Sequence, residues 1–143
     1  LCYKILKHKT EMKTIKQNSD LGNLILRVVV ASLLIFHGFG NLFSGYAFIK
    51  SAMAQSNLPE FIGYGAFIGE IIAPIFIIIG YKERLASLFV ALTMLVAILT
   101  VHTGDIFALN QFGGWAIELQ AFYLFGAIAI FFNGAGNYAI GKK

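Results

Sequence analysis

Cysteine is almost missing from this chain. The single Cys2 leaves no intramolecular disulfide, no cysteine-based cluster and no cysteine zinc site. It also removes dithiol redox chemistry carried by this chain alone. Charge is scarce as well. Asp, Glu, Lys and Arg make up 13% of the 143 residues, against about one-quarter in soluble domains. Apolar residues take their place, at 58% of the chain and a mean hydropathy of +0.76. They gather in four runs, Leu24–Phe43, Phe61–Gly80, Leu85–Thr103 and Trp115–Phe132. Each has about 18–20 residues, enough to cross a bilayer as a helix. Little chain is left for anything else. The sequence therefore predicts an all-α polytopic membrane protein, a four-transmembrane-helix bundle.

The net charge of +4 does not point to nucleic acid, because of where it sits. Lys4, Lys7, Lys9, Lys13 and Lys16 precede the first run, and Lys82, Arg84, Lys142 and Lys143 stand at exits from later ones. The opposite side has Lys50 alone. That asymmetry predicts cytoplasmic N- and C-termini, with residues 44–60 and 104–114 outside. Residues 1–20 read as a basic N-terminal segment. Met12 offers an alternative start, which would make Leu1–Glu11 an extension of the gene. The first run ends without a small-residue cleavage site, so it reads as a retained span. Residues 21–137 form the membrane domain, and 138–143 a basic tail. The Gly- and Asn-rich end is expected to fray or to cap a helix. Between spans one and two, Tyr46, Ile49 and Met53 recur at helical spacing. They predict a short interfacial helix before the turn at Asn57-Leu58-Pro59.

Glu70 stands out, because it lies near the middle of the second run. A charged side chain there costs a few kcal/mol, so it is a functional candidate by default. Pro74, four residues on, has no amide hydrogen and leaves the Glu70 carbonyl without its helical partner. Irregular backbone at this depth needs cover from protein or a wet cavity. At about 1.5 Å per residue, Glu70 lies roughly 15 Å below the outer boundary, His37 roughly 10 Å and Glu118 roughly 5 Å. His102 and Asp105 fall at the outer rim, and Asn41 shares a helical face with Arg27, Leu34 and His37.

Each of these residues has two readings. Glu70 is a hydrogen-bonded packing group, or it carries a proton or binds a ligand. His37 is an interhelical hydrogen bond with Gly38 allowing close approach, or it titrates together with Glu70. His102 and Asp105 read first as a solvated pair; otherwise Asp105 orients the ring for metal or proton work. Glu118 and Gln120 are two apart and cannot share a face, and Glu118 is taken to point inward. Arg27 and Arg84 read as cytoplasmic-side anchors, with Arg27 snorkelling to headgroups.

In order, Arg27, His37-Gly38, Glu70 with Gly80 and Arg84, Met94, His102 and Glu118 resemble the pattern of the DoxX family. The resemblance runs from about Leu21 to Asn137. It implies a small bacterial membrane protein with four helices. One departure is plain. The family often has Lys in HGxxK, and Asn41 stands there. Family members resemble the DoxD subunit of thiosulfate:quinone oxidoreductases, and others are linked to membrane redox and oxidative-stress complexes. The resemblance thus implies a membrane subunit of a redox system, with a quinone as candidate cofactor and a redox protein as candidate partner. The expected site is a buried His37, Glu70 and Glu118 cluster with Asn41 and His102 nearby, and no metal. A small proton- or ion-coupled transporter or channel is the alternative. A non-catalytic scaffold for soluble partners is the third reading. Membrane lipid is a partner on any reading, nucleic acid on none, and self-association stays open.

Overall fold

A computed structural model of the chain describes residues 18–44 and 46–141. The basic residues before Asn18, the Met12 start and the terminal Lys142 and Lys143 lie outside the described residues. All named elements are helical. Helix α1 is Ser19–Phe43, α2 is Ala47–Gln55, α3 is Glu60–Ile79, α4 is Glu83–Thr100 and α5 is Glu118–Asn133. Among the described residues no strand forms. A single antiparallel bridge joins Leu109 to Trp115.

Three of these helices, α1, α3 and α4, are long and apolar enough to cross a membrane. Helix α5 is apolar but has 16 residues, about 24 Å at the α-helical rise. It starts three residues later than expected because Trp115, Ala116 and Ile117 belong to the turn that precedes it. There Asn110 Oδ1 accepts from the Phe112 and Gly114 amides at 2.9 and 3.0 Å.

The helices pack on a narrow inner seam. Val30, Ala31 and Leu34 of α1 meet Ala73 and Ile77 of α3, Val90 and Met94 of α4, and Tyr123 and Ala127 of α5. Many larger apolar side chains face outward, among them Phe36 at 75% and Phe132 at 74% exposed. A water-soluble monomer rarely shows so much contiguous apolar surface. In lipid this is the expected arrangement, since small residues let helices approach and large ones meet acyl chains. Gly69 is one such contact. A Cβ there would overlap the Thr93 side chain of α4.

Helix α3 is not regular. Short α-helical turns, Glu60–Gly63 and Gly65–Phe67, lead into a π-helical segment, Ile68–Ile72, before Ala73–Ile79 resumes the α-helix. The Ala73 amide reaches back to the Ile68 carbonyl, and Pro74 follows directly with no amide to offer. Proline costs the ladder one bond, and a wider turn is one way a helix takes up that loss. Glu70 is the middle residue of this wide turn.

One end of the bundle is tied shut by the C-terminal segment. Gly134 and Gly136, at φ of 71° and 68°, turn the chain out of α5 and back across the helix ends. The Ala135 amide donates to Glu83 Oε1 at 3.2 Å, the Asn137 amide to Asp20 Oδ1 at 2.8 Å and the Ile140 amide to the Ile79 carbonyl at 3.0 Å. Capping, not fraying, is the outcome for these residues, held through their backbone while the Tyr138 and Ile140 side chains stay exposed.

Arg27 completes this closure and corrects its expected role. It is fully buried, with Nη1 donating to the Ile77 carbonyl at 3.3 Å and Nη2 to the Tyr138 carbonyl. Because α1 begins at Ser19, Arg27 is two turns inside and does not snorkel. Its charge lies instead at the carbonyl end of α3, where the helix dipole favours a cation. Arg84 is exposed at the same end of the bundle.

Candidate functional site

At the other end the helices diverge around a cavity of about 480 Å³. Its wall is mostly apolar, from Phe48, Ile49 and Met53 of α2 and Leu92, Val96 and Ala97 of α4. Into it face His37, Asn41, Glu70, Thr93, His102, Gln120 and Tyr123. Five segments of chain thus converge on one space.

Glu70 is 6% exposed. Asn41 Nδ2 donates to its Oε2 at 2.8 Å. This amide occupies the position where a lysine would complete HGxxK, so a neutral donor meets the carboxyl. Gly38 holds the two helices together. A Cβ there would come within 2.9 Å of both the Glu70 carbonyl oxygen and its Cβ, so only glycine lets α1 lie against the π-helical turn. His37 is half-buried beside Tyr123, their ring centroids 6.3 Å apart.

His102 sits just past the end of α4 and is held on both ring nitrogens. Nδ1 is 3.0 Å from Asp105 Oδ2, and Nε2 is 3.0 Å from Gln120 Nε2. Gln120 Oε1 is buried and has no partner. The pair His102 and Asp105 is partly solvated, with side-chain exposures of 27% and 48%. Even so, the imidazole lines the cavity.

Glu118 is placed differently from the expectation that it points inward. It is exposed and accepts from Asn110 Nδ2 at 3.3 Å. It is the first residue of α5, where a carboxylate meets the positive end of the helix dipole. Gln120, two residues on and so on another face, points into the cavity in its stead. The spacing argument separated the two residues correctly but chose the wrong one. Tyr123, one turn beyond Gln120, and Thr93, opposite Gly69, carried no sequence signal as cavity residues.

The chain between α1 and α3 supplies one side of the cavity wall through Phe48, Ile49, Ala52 and Met53. Tyr46 stacks on Tyr64 and Phe67, with centroids 4.9 and 5.0 Å away. Burial raises the Tyr46 phenol above its ordinary pKa, and its hydroxyl has no partner. Lys50 bonds Glu60 at 2.5 Å, which raises the pKa of the lysine. Among the described residues, no three His, Cys, Asp or Glu side chains gather as a metal ion would need.

Apolar helices enclosing a carboxyl, two imidazoles and two amides, with large hydrophobic residues facing outward, define a multi-pass membrane protein. Residues 22–103 match the DoxX family, and the chain belongs to that family. It is also similar to a Bacillus subtilis (strain 168) protein called "Putative oxidoreductase CatD". The two are 28% identical over 105 residues, covering 73% of this chain and 78% of that protein. No solved structure matches the chain.

Proposed function

We propose that this protein is a membrane subunit of a redox system in the bacterial inner membrane and holds a quinone in its cavity. On this reading α1, α3, α4 and the shorter α5 all cross the bilayer, α2 lies in the outer interface, and both termini are cytoplasmic. The electron-carrying group belongs to the quinone or to a second protein, since the spans carry no cysteine. The supporting observation is the cavity itself, an apolar space that His37, Asn41, Glu70, His102 and Gln120 furnish with donors and acceptors. Pockets with few polar groups in an apolar wall suit flat, largely apolar ligands with a small number of carbonyls. The family and the relative's name both lean towards redox work, without naming a substrate.

Thermal unfolding of the reconstituted protein tests the reading. A ligand that binds only the folded state adds about 2.7 kcal/mol of stability at one hundred times its Kd. Ubiquinone or menaquinone analogues should therefore raise Tm, and cavity substitutions such as Gln120→Leu should weaken that rise. Glu70, a carboxyl buried beside a neutral amide, favours a second reading, a proton- or ion-coupled carrier. No shift with either quinone, together with proton flux in liposomes, would place the carrier first.

A further inference from the structure

The chain between α4 and α5 is folded, and one of its faces is apolar. Residues 106–117 carry no Asp, Glu, Lys or Arg. Leu109 pairs with Trp115 across a short hairpin. The Asn110 amide donates to the Gly114 carbonyl at 2.7 Å, and the Ala116 amide to the Ala108 carbonyl at 3.0 Å. The Trp115 Nε1 hydrogen goes to the Ile106 carbonyl at 2.7 Å. Successive side chains of a paired strand point to opposite faces. Phe107 and Leu109 therefore share a face with Trp115, and they are 98%, 73% and 41% exposed. Phe112 stands at the tip, 87% exposed. The other face carries Ala108 and Asn110, both half-buried, with Asn110 Nδ2 turned to Glu118. Apolar side chains this large and this bare call for a cover.

Continuity and length say what the cover is. The Glu118 amide donates to the Trp115 carbonyl at 3.0 Å, so the hairpin runs directly into α5. Leu119 and Phe122, 44% and 50% exposed, follow Trp115 at helical spacing. The apolar face of the hairpin thus extends the lipid-facing row of α5. That helix has 16 residues, about 24 Å, which is about 6 Å less than a hydrocarbon core of about 30 Å. An uncharged aromatic hairpin at its start makes up the missing depth. The cross-hairpin bonds also pair much of its backbone internally, as a setting poor in water requires.

We propose that residues 106–117 are a lipid anchor: the hairpin lies in the membrane interface at the cavity end of the bundle, with Phe107, Leu109 and Phe112 inserted below the headgroups. Its partner is the phospholipid bilayer, and Trp115 sits at headgroup level, where aromatic residues gather. The proposal rests on the reading above that α5 crosses the bilayer. His102 and Gln120, on either side of the hairpin, both line the cavity. The anchor therefore sets that part of the cavity wall at the lipid boundary.

Nitroxide labels on the full-length protein in nanodiscs test it. They are placed singly at Phe107→Cys, Phe112→Cys and Phe125→Cys, with Cys2→Ser removing the one native thiol. All three phenylalanines are well exposed, so the labels should disturb the fold little. Labels at 107 and 112 should meet oxygen dissolved in the bilayer more than an aqueous nickel chelate, at a depth of about 5–10 Å. The label at 125 should lie deeper, which checks that α5 crosses. A second readout is Trp115, the single tryptophan. Lipids brominated in their acyl chains should quench its fluorescence. Phe107→Ser with Phe112→Ser should lessen that quenching and admit iodide, while circular dichroism keeps the parent helix content. Labels at 107 and 112 reached mainly by the nickel chelate would overturn the anchor, whatever the label at 125 shows. Labels shielded from both reagents would put protein on this face, a second copy or another chain, and would overturn it as well. Inserted labels at 107 and 112 beside a water-exposed label at 125 would uphold the anchor and remove α5 from the spans.

Discussion

Glu70→Gln asks what kind of group sits at the centre of the bundle. The carboxyl is 6% exposed and accepts from Asn41 at 2.8 Å. A charge at membrane depth is expensive, and the partner offered is neutral, so Glu70 is expected to carry a proton near neutral pH. A hydrogen bond between neutral groups contributes about 0.5–1.5 kcal/mol, and one to a charged group about 1.5–3 kcal/mol. Gln keeps the shape and the carbonyl that Asn41 meets. Glu70→Gln should therefore change stability by less than about 1 kcal/mol, the lower end of that range. Asn41→Leu should cost the same on either background, which a double-mutant cycle in detergent unfolding reads directly. Glu70→Ala strands the Asn41 amide and should cost about 1–3 kcal/mol. Infrared difference spectra give an independent check, a protonated-carboxyl band that disappears in Glu70→Gln. The reasoning is refuted if that band is missing from the parent protein between about pH 6 and 8, and if Asn41→Leu costs over 1 kcal/mol more with Glu70 present. Glu70 would then be ionised.

Asn41→Lys restores HGxxK and brings a cation to the carboxyl; the protonated-carboxyl band should vanish, and a band that persists would mean that the lysine turns away. Arg27→Leu removes charged donors from the Ile77 and Tyr138 carbonyls, so it should cost about 1.5–3 kcal/mol and expose the C-terminal segment to limited proteolysis. Tyr46→Phe keeps the stack on Tyr64 and Phe67 while removing a buried hydroxyl that lacks a partner. It should leave Tm unchanged or raise it by the equivalent of up to about 1 kcal/mol, and a lower Tm would reveal a partner for that hydroxyl.

The helices were legible because apolar runs of membrane length are hard to mistake. Their ends moved by a few residues, and those few residues mattered. Starting α1 at Ser19 instead of Leu24 carried Arg27 from a headgroup position into the closed end of the bundle. Glu70 could be found from cost alone, and Pro74 pointed to disturbed backbone beside it. That the disturbance is a π-helical turn depends on how α1 and α4 pack, which local sequence does not state. Asn41 was seen on the His37 face, but its bond to Glu70 joins residues 29 apart and needs the tertiary fold. Gln120 was harder. Choosing it over Glu118 depends on where α5 starts, and the start is set by the Asn110 turn.

Glycine and asparagine between them set the chemistry of the inner cluster. Gly38 permits the approach of α1, and the approach brings Asn41, one turn on, against the Glu70 carboxyl. A larger residue at 38 would push the helices apart and leave the carboxyl facing the cavity alone. A lysine at 41 would turn the same contact into an ion pair, with its charge fixed in place. The amide does neither. It holds the carboxyl in position without demanding that it ionise. At His102 the partner is again an amide, with Gln120 Nε2 3.0 Å from Nε2 of the ring. Both clusters set a neutral amide against a polar side chain from another segment of the chain, and both line one cavity.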